Sequence, residues 1–161
     1  MGIVSSFVNS LMLPSKKAVL KINKLKVSTS VFYFALLILL ITLPDLIRLI
    51  LSYDTQFSDL PRSVFIFQIV VFYPFQSIFI GILGITVAAA AGLLMNKWMQ
   101  RRIKYALLWK MSLHASTTPL ILYALVRNLY SINLVISIVL MLFVLYILYK
   151  MIAVYPKPKK K

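Results

Sequence analysis

Four long apolar blocks, separated by short polar connectors, decide what this chain can become. They lie at about residues 31–51, 64–95, 105–125 and 134–154. A hydrocarbon core of about 30 Å takes roughly 20 helical residues to cross. Inside it the backbone must satisfy its own N–H and C=O groups, which leaves helices or a closed barrel. The blocks are continuous and do not alternate with period two, so they read as helices. The hydrophobic share is 61% and the mean hydropathy +0.93. A soluble domain of this size needs more polar surface than that. The expected fold is therefore an all-α integral membrane protein. It has four transmembrane helices in a bundle, an amphipathic N-terminal interfacial helix and both termini in the cytoplasm.

Charge sets that orientation. The chain carries 18 Lys+Arg against three Asp+Glu, a net +15. The cations crowd the N-terminus, the second connector and the tail, while the first and third connectors hold Arg62 and Arg127. The positive-inside rule then places both termini and the second connector in the cytoplasm. The cations flank apolar spans and do not line one basic face, which argues against nucleic acid. They suit a bilayer with anionic headgroups instead. Lys16, Lys17, Lys21, Lys24, Lys26, Arg101, Arg102, Lys159 and Lys160 are the expected headgroup contacts. With no cysteine and one histidine, no metal site and no cofactor is expected.

Residues 1–27 form the amphipathic, basic N-terminal segment. Ile3, Phe7 and Leu11 recur at helical spacing, with Ser5, Ser6, Asn9 and Ser10 largely between them. This is a helix too short to span, ended by Pro14, with Ser15 placed to cap a second, lysine-rich helix. It reads either as a surface anchor or partner helix, or as a plain basic flank. Met1-Gly2-Ile3-Val4-Ser5-Ser6 also fits the myristoylation pattern at Gly2. Residues 28–154 form the transmembrane domain, and 155–161 a basic cytoplasmic tail.

The first span, residues 31–51, is interrupted by Thr42-Leu43-Pro44-Asp45. Pro44 cannot donate to the helix ladder, so a kink or restart is expected there. Asp45 and Arg48, three apart, can pair on one face. Such a pair is either functional or merely settles the kink at the outer interface. A helix start is expected at Ser58 or Asp59, before Pro61. The second block is too long for one straight crossing. The preferred reading puts the span at 75–95, with 64–73 interfacial or re-entrant and its aromatics in the interfacial belt. Gly81, Gly84, Ala88 and Gly92 form a small-residue face, for a partner or for packing inside the domain. The third and fourth spans are 105–125 and 134–154.

The most polar run at membrane depth is Lys110-Met111-Ser112-Leu113-His114-Ala115-Ser116-Thr117-Thr118-Pro119. On a helical wheel Lys110, His114, Thr117 and Thr118 fall within roughly a third of a turn, with Ser112 and Ser116 on another strip. This face should point into the bundle, with Lys110 snorkelling to the cytoplasmic interface. Counting along the helices puts Asp45 nearer the level of Thr117 and Thr118 than of His114. A Ser/His/Asp arrangement is therefore not expected. Pro119 frees the carbonyl near Ala115, which Ser116 or a neighbouring hydroxyl can satisfy.

Two stretches carry a resemblance. Phe7-Val8-Asn9-Ser10-Leu11-Met12-Leu13-Pro14-Ser15-Lys16, followed by a basic run, is similar to the start of a family of uncharacterised Gram-positive bacterial membrane proteins. Leu108 to Leu120 resembles the polar helix of the same family. Some of its members are described as maltodextrin-utilisation membrane proteins. The resemblance implies a bacterial plasma membrane and carries over no site residues. The expected function is a non-enzymatic membrane subunit or scaffold that associates with another membrane complex, a transport system being one candidate, or with a second copy of itself. A small transporter using Lys110, His114 and Thr118, and an intramembrane enzyme, are the alternatives.

Overall fold

The computed structural model describes residues 2–53, 61–129 and 134–156. Asp54, the helix start expected at Ser58 or Asp59, and the cations Lys159 and Lys160 lie outside those residues. The elements are α1 (Ile3–Leu11), α2 (Lys16–Asn23), α3 (Val27–Leu51), α4 (Arg62–Phe67), a π-turn (Gln68–Phe72), α5 (Tyr73–Trp98), α6 (Tyr105–Ala115), α7 (Thr117–Leu129) and α8 (Leu134–Ala153). No strand occurs among the described residues.

Three helical runs are long and apolar enough to cross a membrane: α3, the continuous stretch Arg62–Trp98, and α8. The chain is thus built as an α-helical membrane protein. Its outer surface is apolar, with Leu40, Phe75, Leu94 and Leu134 all exposed.

The helix α3 passes through Pro44 without a restart. Thr42 Oγ1 donates back to the Ile38 carbonyl at 3.0 Å in the turn before the proline, a side-chain bond of the kind that bends a helix without breaking it. Nor does the second block re-enter: it runs as 37 continuous helical residues. The device is the π-turn, in which the Tyr73 N–H reaches back five residues to the Gln68 carbonyl. One wide turn before Pro74 absorbs the missing donor and the ring's bulk without breaking the helix.

The third block does the reverse. The expected span 105–125 is two helices, broken at Ser116. Pro119 sits in the first turn of α7, where it gives up no hydrogen bond. Ser116 stitches the joint. Its N–H donates to the Ser112 carbonyl at 3.0 Å, and its carbonyl accepts from the Leu120 N–H at 2.9 Å.

Contacts between helices give their directions. Residues 25, 30, 33 and 45 of the α3 region meet residues 110, 114, 117 and 127 in rising order, so α3 runs parallel to α6–α7. The helix α5 runs against both, with Gly81 beside Phe34 and Ile38 and Gly92 beside Leu108 and Leu148. Apolar packing falls into two clusters. One joins Val19, Leu108, Met111, Leu148, Met151 and Ile152; the other joins Phe34, Ile38, Ile85 and Leu113.

The N-terminal helices are part of this body. Ser15 caps α2 as expected, its Oγ accepting from the Ala18 N–H at 3.4 Å. But α1 packs on α2, α3 and α7. Its Ser6, Asn9 and Ser10 are buried, while Val4, Val8, Leu11 and Met12 are exposed. Its polar side faces protein and its apolar side faces outward, the arrangement of a helix within lipid.

Candidate functional site

The chain's deepest polar groups meet where α1, α2 and α3 close on the α6–α7 joint. Residues 110–117 are all buried. Each polar side chain there has a local reason for its position.

Lys110 is 6% exposed and does not snorkel. Its Nζ donates to the carbonyls of Asn23 at 2.7 Å and Leu25 at 2.8 Å. These close the C-terminal end of α2, where carbonyls lack helical partners and the helix dipole is negative. The ammonium finds there what it would otherwise seek in the headgroup layer.

One turn deeper, His114 is fully buried between α1 and α3. Its Nδ1 lies 2.7 Å from Ser10 Oγ and its Nε2 3.0 Å from Ser30 Oγ. Ser10 Oγ already donates to the Ser6 carbonyl at 2.7 Å. Ser30 Oγ lies further, 3.4 Å, from the Lys26 carbonyl, so the short Ser10 bond decides: Nδ1 carries the proton and donates to Ser10, and Nε2 accepts from Ser30. The ring stacks on Tyr33, with centroids 5.2 Å apart and planes within 11°. A turn further on, the Tyr33 and Thr117 hydroxyls are 2.9 Å apart.

The remaining expected polar residues do not join this cluster. Ser112 and Ser116 donate to the Leu108 and Leu113 carbonyls at 3.0 and 2.8 Å, and so satisfy their own helix. Thr118 is half-buried and stands outside the network. Asp45 pairs with Arg127 at 3.1 Å, not with Arg48, which is exposed. The same pairing puts Asp45 still nearer the level of Thr117 than of His114, and higher than the count along the helices had it. Thr117 is level with Tyr33, and Asp45 sits near the far end of α7, because α3 begins at Val27, earlier than the apolar block suggests. His114 and Asp45 are separated by about 22 Å along α3, at 1.5 Å per residue from Ser30.

The small-residue face divides. A Cβ on Gly81 would strike Ile38 Cδ1 and lie 3.1 Å from Phe34, so α3 packs there. One on Gly92 would lie 2.9 Å from Leu148, so α8 packs there. Gly84 has nothing within 4 Å of that position. It lies instead on an apolar cavity of about 440 Å³ between α3, α5, α7 and α8, with Ala88, Pro119, Leu120 and Met141 among its walls.

The basic residues also separate. The five lysines of residues 16–26 are exposed, as is Arg102. Arg101 is half-buried and donates to the carbonyls of Tyr155 and Ala153, closing the end of α8. It ties helices together where a headgroup contact was expected.

Sequence reasoning found Lys110, His114 and Thr117 but not their partners: the Asn23 and Leu25 carbonyls for Lys110, Ser10 and Ser30 for His114, and Tyr33 for Thr117. The available signal was the polar strip of α1. In a membrane protein the polar side of a helix seeks protein, not water, so that strip required an inward partner.

A family model matches residues 57–154 and is described as "Protein of unknown function (DUF1189)". It spans the Leu108–Leu120 stretch and excludes the N-terminal one. Neither the curated proteins nor the solved structures give a match.

Proposed function

The chain belongs to the DUF1189 family, and from that premise we propose that it is a non-enzymatic integral membrane subunit that holds one helix of a partner membrane protein. The reading places it in a bacterial plasma membrane with four crossings, α6–α7 being the broken one, and both termini in the cytoplasm. The positive-inside distribution and the parallel course of α3 and α6–α7 support that topology. A transport complex is the candidate partner, in keeping with the maltodextrin-utilisation proteins that the chain resembles.

The observation that carries the proposal is the open position at Gly84. Small residues bring helix backbones together where lipid gives no hydrophobic drive. Gly81 and Gly92 are used up inside the domain, and Gly84 between them faces an unfilled apolar cavity. The buried polar junction, by contrast, has its hydrogen bonds engaged internally, which favours a structural role over transport or catalysis.

The test is a photo-crosslinking residue at Met141, on the cavity wall, used in intact cells. One dominant partner is expected, and Gly84→Ile should abolish the crosslink while the domain stays folded. Crosslinks only to lipid overturn the proposal. Crosslinks only to a second copy of this chain replace the hetero-partner with a homo-oligomer.

A further inference from the structure

At the other end of the molecule a second cavity, of about 360 Å³, opens between the end of α2, the start of α6 and the end of α8. Arg102, Lys104, Lys110, Asn23 and Tyr155 line it. We propose that this cavity is a built binding site for a single phosphate group, the headgroup phosphate of an anionic phospholipid or a free phosphate.

Four observations converge. Three cations share one concave site, and among the described residues no acid faces them: Asp45 is paired with Arg127 at the opposite end. Second, Lys110 commits two ammonium protons to Asn23 and Leu25 and retains a third. Third, Lys104 gives α6 no side-chain cap; the Leu107 N–H is taken by the Lys104 carbonyl, but the Ala106 N–H before it has no helical partner and suits an anion. Fourth, the Tyr155 hydroxyl is buried and has no hydrogen-bond partner among the described residues. Burial pushes its pKa up, so it stays protonated and remains a donor. A guanidinium, two ammonium groups, a phenol O–H and a backbone N–H supply the donors that a phosphate's acceptor oxygens need.

This goes beyond diffuse attraction of a basic face to a membrane, and the test separates the two. Native mass spectrometry of the full chain, released from mild detergent, would be run with phosphatidylglycerol, phosphatidylcholine or inorganic phosphate. We expect one phosphatidylglycerol retained at least roughly tenfold more strongly than phosphatidylcholine. Arg102→Gln/Lys104→Gln, both exposed, should remove that preference, and Tyr155→Phe should weaken it severalfold. Lys16→Gln/Lys17→Gln, of equal charge change but outside the cavity, should leave it unchanged. Retention of inorganic phosphate with the same variant pattern, and no preference among lipids, assigns the site to free phosphate. Equal losses in the two double variants, or no loss in either, overturn the site. Tryptophan fluorescence melting of each variant confirms that it is folded.

Discussion

The two sides of the broken third block solve opposite problems. Below the Ser116 joint, α6 buries Lys110 and His114, and α1, α2 and α3 supply a partner for each polar group. Above it, α7 faces an apolar cavity beside Gly84 that nothing in the described chain fills. Polar groups in an apolar medium must be matched, so the lower side is closed and specific. Apolar walls cost little to leave against lipid, so the upper side can stay open. The same pair of helices thus carries a structural lock and an open apolar face. What separates them is the chemistry of the residues flanking Pro119.

Variants can break that contrast. The largest effect is expected for His114→Ala. It removes two hydrogen bonds and the stack on Tyr33 and leaves a cavity, at a cost of about 3 kcal/mol. Detergent-titration unfolding followed by tryptophan fluorescence would measure it. A loss below about 1 kcal/mol would mean that α1 is not held by this junction.

The next test compares two glycines three residues apart. Gly81→Ile should destabilise by about 2 kcal/mol through overpacking against Ile38 and Phe34. Gly84→Ile should leave the unfolding midpoint nearly unchanged and act on partner binding alone. Similar midpoints for the two would erase the distinction between filled and open faces.

The smallest effect is expected at the far end. Arg127→Gln removes the partner of Asp45, but the arginine side chain is 42% exposed, so the loss should stay below about 1 kcal/mol. It should shrink further as salt rises, which unfolding at two ionic strengths would show. A larger, salt-independent loss would extend the polar lock to the whole length of α3.

Much of this was readable from residues alone. The cap at Ser15 and the inward direction of His114 and Thr117 follow from local rules, because each depends on groups a few residues apart. Pro44 and Pro74 show where local rules stop. A proline takes away one donor in every case, but that alone does not decide whether the helix breaks. A π-turn compensates before Pro74, while α3 continues through Pro44 without such a device. The pairing of Asp45 with Arg127 over Arg48 was equally out of reach, since it depends on two helix starts whose relative height no single segment records.

By itself the sequence determined that this is a helical membrane protein and which residues would be costly to expose to lipid. Those follow from the transfer of individual side chains and backbone groups out of water, a property each segment carries alone. Only the tertiary structure decided that α1 turns its polar side inward to meet His114, that Lys110 closes α2 without reaching the interface, and that Gly84 stays open where Gly81 and Gly92 are filled. Those outcomes depend on which helices become neighbours, and at what height, which is a property of the packed assembly.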